Sequence, residues 1–427
     1  MPTQRLPLTS AVEAVARIRS GDRVFVGSGA AEPERLVEAM TARHRELDGV
    51  EVYSILTLGG APYVAPQYAD SFRHVAFFIG HNTREAVQAG RADFMPIFLS
   101  EIPALFRQRV PIDWALVQLS PPDKHGYCTV GVAADVVVSA IRNAKHVIAE
   151  INSNMPRTWG DTLVHVSELD AAVEVDTPIP ELGVDAIDEV AATIGANVAS
   201  LVRDGDCLQL GIGAIPNAVL AALRDHKHLG VHTEMLSDGI VDLVEAGVID
   251  CAAKNYRPRK AICSFVMGSR RLYDFVDDNP FVECYGNDFT NDPFIIARND
   301  NMVAINSAIQ IDLSGQVCAD SMGVKPFSGI GGQVDFIRGA ARSKGGRPII
   351  ALPSTAKQGE LSRIVSTLKP GAGVVTSRGD VHFVVTEHGV ADLYAKPISQ
   401  RAASLIAVAD PQFRDQLTRE AKQLGLL

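Results

Sequence analysis

The sequence predicts an α/β protein built of two related open α/β domains, residues 1–182 and 183–427. Three observations carry this. First, the segment Gly21-Asp22-Arg23-Val24-Phe25-Val26-Gly27-Ser28-Gly29-Ala30 returns as Gly205-Asp206-Cys207-Leu208-Gln209-Leu210-Gly211-Ile212-Gly213-Ala214. The offset, 205 minus 21, is 184 residues, far beyond the roughly 20–50 residues of a solenoid unit. Second, short apolar runs alternate with helical patterns in both halves, as parallel-sheet proteins require. Third, the 427 residues are 47% apolar and 21% charged, ordinary for globular domains that each bury a core.

Each half opens on an amphipathic helix, Ala11 to Ile18 and Ile187 to Val202. A Gly-Asp turn then feeds a short strand, Val24 to Val26 or Leu208 to Leu210. The Gly-x-Gly turn follows, and next a helix with proline near its start, at Pro33 or Pro216. Further strands are expected at 50–56, 75–79, 114–119 and 147–151, and at 231–236, 261–266, 348–352 and 381–386. The acidic, proline-containing stretch 174–182 reads as the linker.

The formal net charge of -10 argues against nucleic-acid binding, which needs clustered Lys and Arg. No apolar run approaches the roughly 18 residues that span a bilayer, and the opening residues carry no leader pattern. The six cysteines lie at 128, 207, 251, 263, 284 and 318 without Cys-x-x-Cys spacing. They suggest neither a disulfide scaffold nor a metal site, and a cytoplasmic protein with reduced thiols is expected.

The turns Gly27-Ser28-Gly29 and Gly211-Ile212-Gly213 each place glycine where a ligand could approach backbone at a helix N-terminus. Neither has the third glycine of a dinucleotide fingerprint, which disfavours a nicotinamide-dependent dehydrogenase. Downstream, Gly49-Val50-Glu51-Val52-Tyr53 can be laid on Gly230-Val231-His232-Thr233-Glu234. Glu234 then ends a strand where the first half has Tyr53. Open α/β sheets bind ligands at that strand end; on pattern alone, a surface loop glutamate competes with that reading.

The segment Val231-His232-Thr233-Glu234-Met235-Leu236-Ser237-Asp238-Gly239 resembles the acetyl-CoA hydrolase/transferase family around its catalytic glutamate. The resemblance continues in Ser120-Pro121-Pro122-Asp123-Lys124-His125-Gly126-Tyr127-Cys128 and Glu150-Ile151-Asn152-Ser153-Asn154-Met155-Pro156-Arg157-Thr158. It extends through Gly329-Ile330-Gly331-Gly332-Gln333-Val334-Asp335-Phe336 and Thr386-Glu387-His388-Gly389-Val390-Ala391-Asp392-Leu393. The blocks stand in family order over most of the chain. Two positions depart from the family pattern: Lys124 replaces a common acidic residue, and Tyr394-Ala395-Lys396-Pro397 replaces a basic, glycine-containing run.

The resemblance implies an active site between two related domains, with Glu234 as nucleophile. It implies a CoA-binding loop at Gly211, Ile212, Gly213, Ala214 and Ile215, completed by Ser328, Gly331, Gly332 and Lys344. It also implies a homo-oligomer, a dimer or dimer of dimers, using CoA and carboxylic acids as substrates with no tightly bound cofactor and no metal. The expected activity is CoA transfer between short-chain acids such as acetate, butyrate and 4-hydroxybutyrate, with succinate or itaconate as further possibilities. The rival readings are an acyl-CoA hydrolase on the same scaffold and a non-catalytic CoA-binding protein.

A carboxylate suits such transfer because it can store the acyl activation covalently. Each addition to a carbonyl makes an oxyanion, which backbone N–H groups can stabilise. Gly27, Ser28 and Gly29 are the expected donors. Lys344, flanked by Arg342 and Arg347, is the expected partner of the CoA phosphates. His232 shares a strand face with Glu234 and is either an electrostatic neighbour or a packed core residue. His388 beside Glu387 lacks the spacing of a metal site.

Overall fold

The computed structural model describes residues 6–183 and 185–427. Its contacts separate two compact units: residues 1–182 with 262–290, and residues 183–261 with 291–427.

The first unit is built on a seven-stranded sheet. Its order is Ala171–Val175, His146–Asn152, Trp114–Leu119, Arg23–Val26, Val50–Ser54, Phe72–Ala76 and Asp93–Phe94, and every pairing is parallel. The chain starts near the middle and winds outward in both directions. All six residues of Trp114–Leu119 are buried, as a strand covered on both faces demands. Val15, Leu36 and Met40 from two helices share one core cluster with Val24, Val52 and Trp114.

Two expected elements shift here. The first helix covers Ala11–Val15 and stops short of Ile18, because the Arg43 guanidinium takes the carbonyls of Val15 and Ile18 and caps the chain there. The strand expected at 75–79 lies at Phe72–Ala76. Its start is masked in sequence by His74, which is buried with Nδ1 3.0 Å from the Val52 carbonyl.

The second unit has a six-stranded sheet ordered Gly230–Val231, Cys207–Leu210, Met302–Asn306, Arg347–Ala351, Phe383–Thr386 and Gly389–Asp392. The first five strands are parallel and the last is antiparallel. Five strands thus follow the same winding order as in the first unit. Met302–Asn306, a central strand, is missing from the sequence expectation. The expected strand 231–236 breaks into Gly230–Val231 and Met235–Leu236, with a bend at Glu234. At the amino ends of its strands Arg347 and Asp206 form a buried pair at 2.6 Å.

Residues 262–290 cluster with the first unit although they lie within 183–427. Hydrogen bonds explain it. Ser264 accepts the N–H groups of Ala134 and Asp135, and Asn287 N–H donates to the Asp135 carbonyl. Val282–Cys284 pairs with the short strand Trp159–Gly160. No helix among the described residues is long and apolar enough to cross a membrane.

Candidate active site

In the second unit, the strand order reverses between Cys207–Leu210 and Met302–Asn306. Ligands of open α/β sheets bind at the carboxyl ends of the strands flanking such a point. Gly211, Ile212 and Gly213 follow Cys207–Leu210 there, and Glu234 follows Gly230–Val231.

Local bonding places Glu234. The buried Thr233 hydroxyl donates to the Leu210 carbonyl at 3.0 Å and lies 3.4 Å from the Leu210 amide. This ties the bend to the end of the neighbouring strand and turns the half-buried Glu234 side chain out of the sheet. Asn291 Nδ2 donates to Glu234 Oε2 at 2.8 Å. A Cβ on Gly332 would lie 1.7 Å from the same oxygen and 2.2 Å from Asn291 Nδ2. Only glycine lets the backbone approach so closely.

Gly332 caps the ten-residue helix Gln333–Arg342. The Glu234 carboxylate therefore sits at a helix N-terminus, where N–H groups lack intrahelical partners and negative charge is favoured. Gln333 fixes that helix start, donating to the Ser307 carbonyl at 2.6 Å and accepting the Thr376 hydroxyl at 3.2 Å. Gly331 precedes it in the left-handed region, φ 59°. Ser328 belongs to the same loop, held by the Ala319 and Asp320 carbonyls.

A hollow of about 510 Å³ opens at the N-terminus of the helix Ala214–Ala222 and reaches Ser307, whose carbonyl Gln333 bonds. Its lining includes Ile212, Gly213, Ala214, Ile215, Ser307 and Lys357. Lys357 was not among the sequence candidates; it lies in a loop far along the chain from the glycine turn. Nearby, Glu387 accepts the Ser354 N–H at 2.9 Å and the Ser354 hydroxyl.

Lys344 is placed elsewhere. Its carbonyl accepts the Asn301 N–H at 2.8 Å, which puts it at the amino ends of the strands Met302–Asn306 and Arg347–Ala351, whereas Glu234 follows the carboxyl end of Gly230–Val231. The helix separating it from Gly332 is about 15 Å long. Its side chain is 88% exposed and stands 4.0 Å from Asp300. Arg347 is engaged by Asp206 and by the Leu201 carbonyl. The Arg347 guanidinium is thus held by Asp206 and is not grouped with Lys344.

The other glycine turn lies in the first unit. Gly27 N–H donates to the Leu116 carbonyl at 2.9 Å, and Gly29 N–H to the Leu56 carbonyl at 2.6 Å. Those two amides are engaged in holding the turn. Ser28 is buried there. Glu32, just beyond the turn, accepts the Gly59 N–H at 2.7 Å. Burial, partly offset by that bond, raises its carboxyl to about 7.

Strand register also revises the repeat. Val24 lies level with Val52, and Leu208 with Val231. The first-unit equivalent of Glu234 is therefore Ile55, two residues beyond the expected Tyr53, and Tyr53 matches His232. His232 is fully buried, 6.1 Å from the Phe336 ring and 3.3 Å from Asn299 Nδ2; it is a packed residue. His388 lies 3.7 Å from both Glu387 and Asp410. Among the described residues no group of three or more His, Cys, Asp or Glu is arranged to hold a metal ion.

Comparison with known proteins gives a consistent picture. Residues 4–184 match the acetyl-CoA hydrolase/transferase N-terminal domain, and residues 268–421 match its C-terminal domain. The chain is 49% identical to 4-hydroxybutyrate coenzyme A transferase of Clostridium kluyveri over 97% of each chain. It is 47% identical to a succinyl-CoA:acetate/propanoyl-CoA:succinate CoA transferase of Fasciola hepatica, covering 95% of this chain and 85% of the other. Among solved structures, RipA from Yersinia pestis superposes with TM-score 0.93 at 36% identity, covering 99% of this chain and 98% of that one. A 4-hydroxybutyrate CoA-transferase from Porphyromonas gingivalis does so with TM-score 0.84 at 41% identity, covering 98% of each.

Proposed function

From the premise that this chain belongs to the acetyl-CoA hydrolase/transferase family, we propose that Glu234 carries the acyl activation through a covalent glutamyl–CoA thioester. The enzyme is a CoA-transferase acting between short-chain carboxylic acids, as its full-length relatives are. The observation that carries the role of Glu234 is its carboxylate, held by Asn291 and pressed against Gly332 at a helix N-terminus.

In the proposed reaction, a Glu234 oxygen attacks the acyl-CoA carbonyl. The C–S bond breaks, and CoA leaves as thiolate from a mixed anhydride. The thiolate then attacks the glutamyl carbonyl, forming the glutamyl thioester and releasing the first acid as carboxylate. An acceptor carboxylate reverses both steps. Charge, atoms and electrons balance without a metal or redox partner.

Asn291 and the first amides of Gln333–Arg342 are the donors we assign to the developing oxyanions. Gly211 to Ile215 and Lys357 are assigned to CoA, with Ser328 and Gly331 shaping the loop beside them. The reading takes in a homodimer, which sedimentation measures. It also takes in a reducing compartment such as the cytoplasm, supported by six buried free thiols.

Incubation with acetyl-CoA followed by borohydride tests the intermediate. Reductive modification confined to the Glu234 peptide, absent in Glu234→Gln, is the expected result. No modification, with full turnover in that variant, would sink the mechanism. Acceptor-dependent thioester exchange without net thiol release separates transfer from hydrolysis.

A further inference from the structure

We propose that Cys263 and Cys284 are a redox-labile pair whose oxidation to a disulfide changes the placement of Asn291. The two sulfurs lie 3.4 Å apart on the neighbouring strands Ala261–Cys263 and Val282–Cys284. The Tyr285 N–H donates to the Cys263 carbonyl at 2.9 Å, so the strands are tied side by side at this point. A disulfide requires the sulfurs to close to about 2.05 Å. Hydrogen bonds between the strands resist that closure, and disulfides held off their preferred geometry are the readily reduced, regulatory kind.

Both thiols are fully buried. The contact with Cys284, together with burial, pushes the Cys263 thiol well up, so little reactive thiolate exists in the closed structure. Access runs through a weak edge. Cys284 is covered by the two-residue strand Trp159–Gly160, where Trp159 is half exposed. Gly160 approaches so closely that a Cβ would lie 2.1 Å from the Cys284 carbonyl oxygen. So short an edge opens more readily than the sheet core. Oxidation is therefore slow, and it registers sustained oxidant.

The link to chemistry runs along the chain. The Cys263 carbonyl also accepts the Thr290 hydroxyl at 3.5 Å. The next residue, Asn291, donates to the Glu234 carboxylate. Drawing the sulfurs together moves the anchor from which that donor is suspended. The step is balanced: two thiols lose two protons and two electrons to an added disulfide or diazene oxidant, which is reduced in turn. The thiol pairing stands without any assignment to Glu234; the effect on activity rests on that assignment.

The fully reduced full-length protein would be incubated with diamide or glutathione disulfide, then denatured, alkylated and mapped without reduction. One bridge linking Cys263 to Cys284 is expected, reversed by dithiothreitol. CoA exchange should fall at least about tenfold on oxidation and recover on reduction, since a displacement near 1 Å at a reacting group costs up to 10²-fold. Cys284→Ser and Cys284→Ala should each lose this oxidant sensitivity. Six thiols surviving prolonged oxidation, a bridge elsewhere such as Cys207–Cys251, or bridging with unchanged exchange would overturn the proposal. Failure to trap a glutamyl adduct in the reduced protein would instead overturn the role of Glu234 and leave the thiol result standing.

Discussion

Gly332 and Glu234 are in a contact that no other residue at position 332 could make: a Cβ there would lie 1.7 Å from Glu234 Oε2. The obstructed atom is the far end of a flexible side chain. Gly332→Ala should therefore fold, with Glu234 rotated away. Melting temperature should change little, while kcat falls by about 10²-fold, the scale expected when the proposed nucleophile is misplaced. Loss of folding, or full activity, would contradict this relationship.

Asn291 offers a test of how the Glu234 charge is held. Asn291→Ala removes the 2.8 Å donor and should lower kcat roughly tenfold, about the 1.5 kcal/mol of a charge-assisted hydrogen bond. Asn291→Asp sets a second carboxylate beside Glu234. Like charges so close push one carboxyl upward, so the acid limb of the pH–rate profile should move to higher pH. An unchanged profile in the Asp variant would place Asn291 outside the reacting group.

The two lysines separate the sequence expectation from the structural one. Lys357 lines the hollow beside the glycine turn, whereas Lys344 is solvated at the amino end of the central strands. Lys357→Ala should raise KM for acetyl-CoA by roughly fivefold to tenfold, about 1–1.4 kcal/mol of lost binding. Lys344→Ala should leave it within about twofold, as for a surface ion pair. The reverse pattern would restore Lys344 to the CoA site.

Glu32, Glu150 and Asp135 are buried in the first unit. Burial raises Glu32 and Glu150 to about 7 and Asp135 to about 6. Each binds its proton more tightly folded than unfolded. Their contribution to stability is complete below about pH 4 and is lost as pH rises through 6 to 7. Thermal melting should show this as a decline between about pH 4 and 7, less steep in Glu32→Gln and Glu150→Gln. An equal slope in both variants would contradict it.

The Asp206–Arg347 pair is buried at 2.6 Å. Asp206→Ala leaves a buried guanidinium uncompensated and should cost about 3–5 kcal/mol. Denaturant unfolding of the double variant Asp206→Ala/Arg347→Met should recover part of that loss. If the single and double variants unfold alike, the pair contributes little.

The winding of both sheets was legible wherever apolar runs were uninterrupted. Trp114–Leu119 and Phe383–Thr386 read directly, because strands covered on both faces leave continuous hydrophobic signatures. His74 hid the start of its strand, since a buried histidine bonded to backbone looks polar in sequence. The central strand Met302–Asn306 left too short a run to stand out behind Asn299, Asp300 and Asn301.

By itself, the sequence determined the α/β class, the glycine-turn repeat and the family, and it singled out Glu234. These are properties of residue type at local spacing. Tertiary structure decided what surrounds that carboxylate. It brought Asn291 and Gly332 to one oxygen, from positions 57 and 98 residues further along. It engaged the amides of Gly27 and Gly29 in their own turn, and it set Lys357 rather than Lys344 at the hollow beside Gly213. The reason is geometric: which groups from distant segments converge on one oxygen depends on how strands and helices pack in space, and the spacing of a motif carries no record of it.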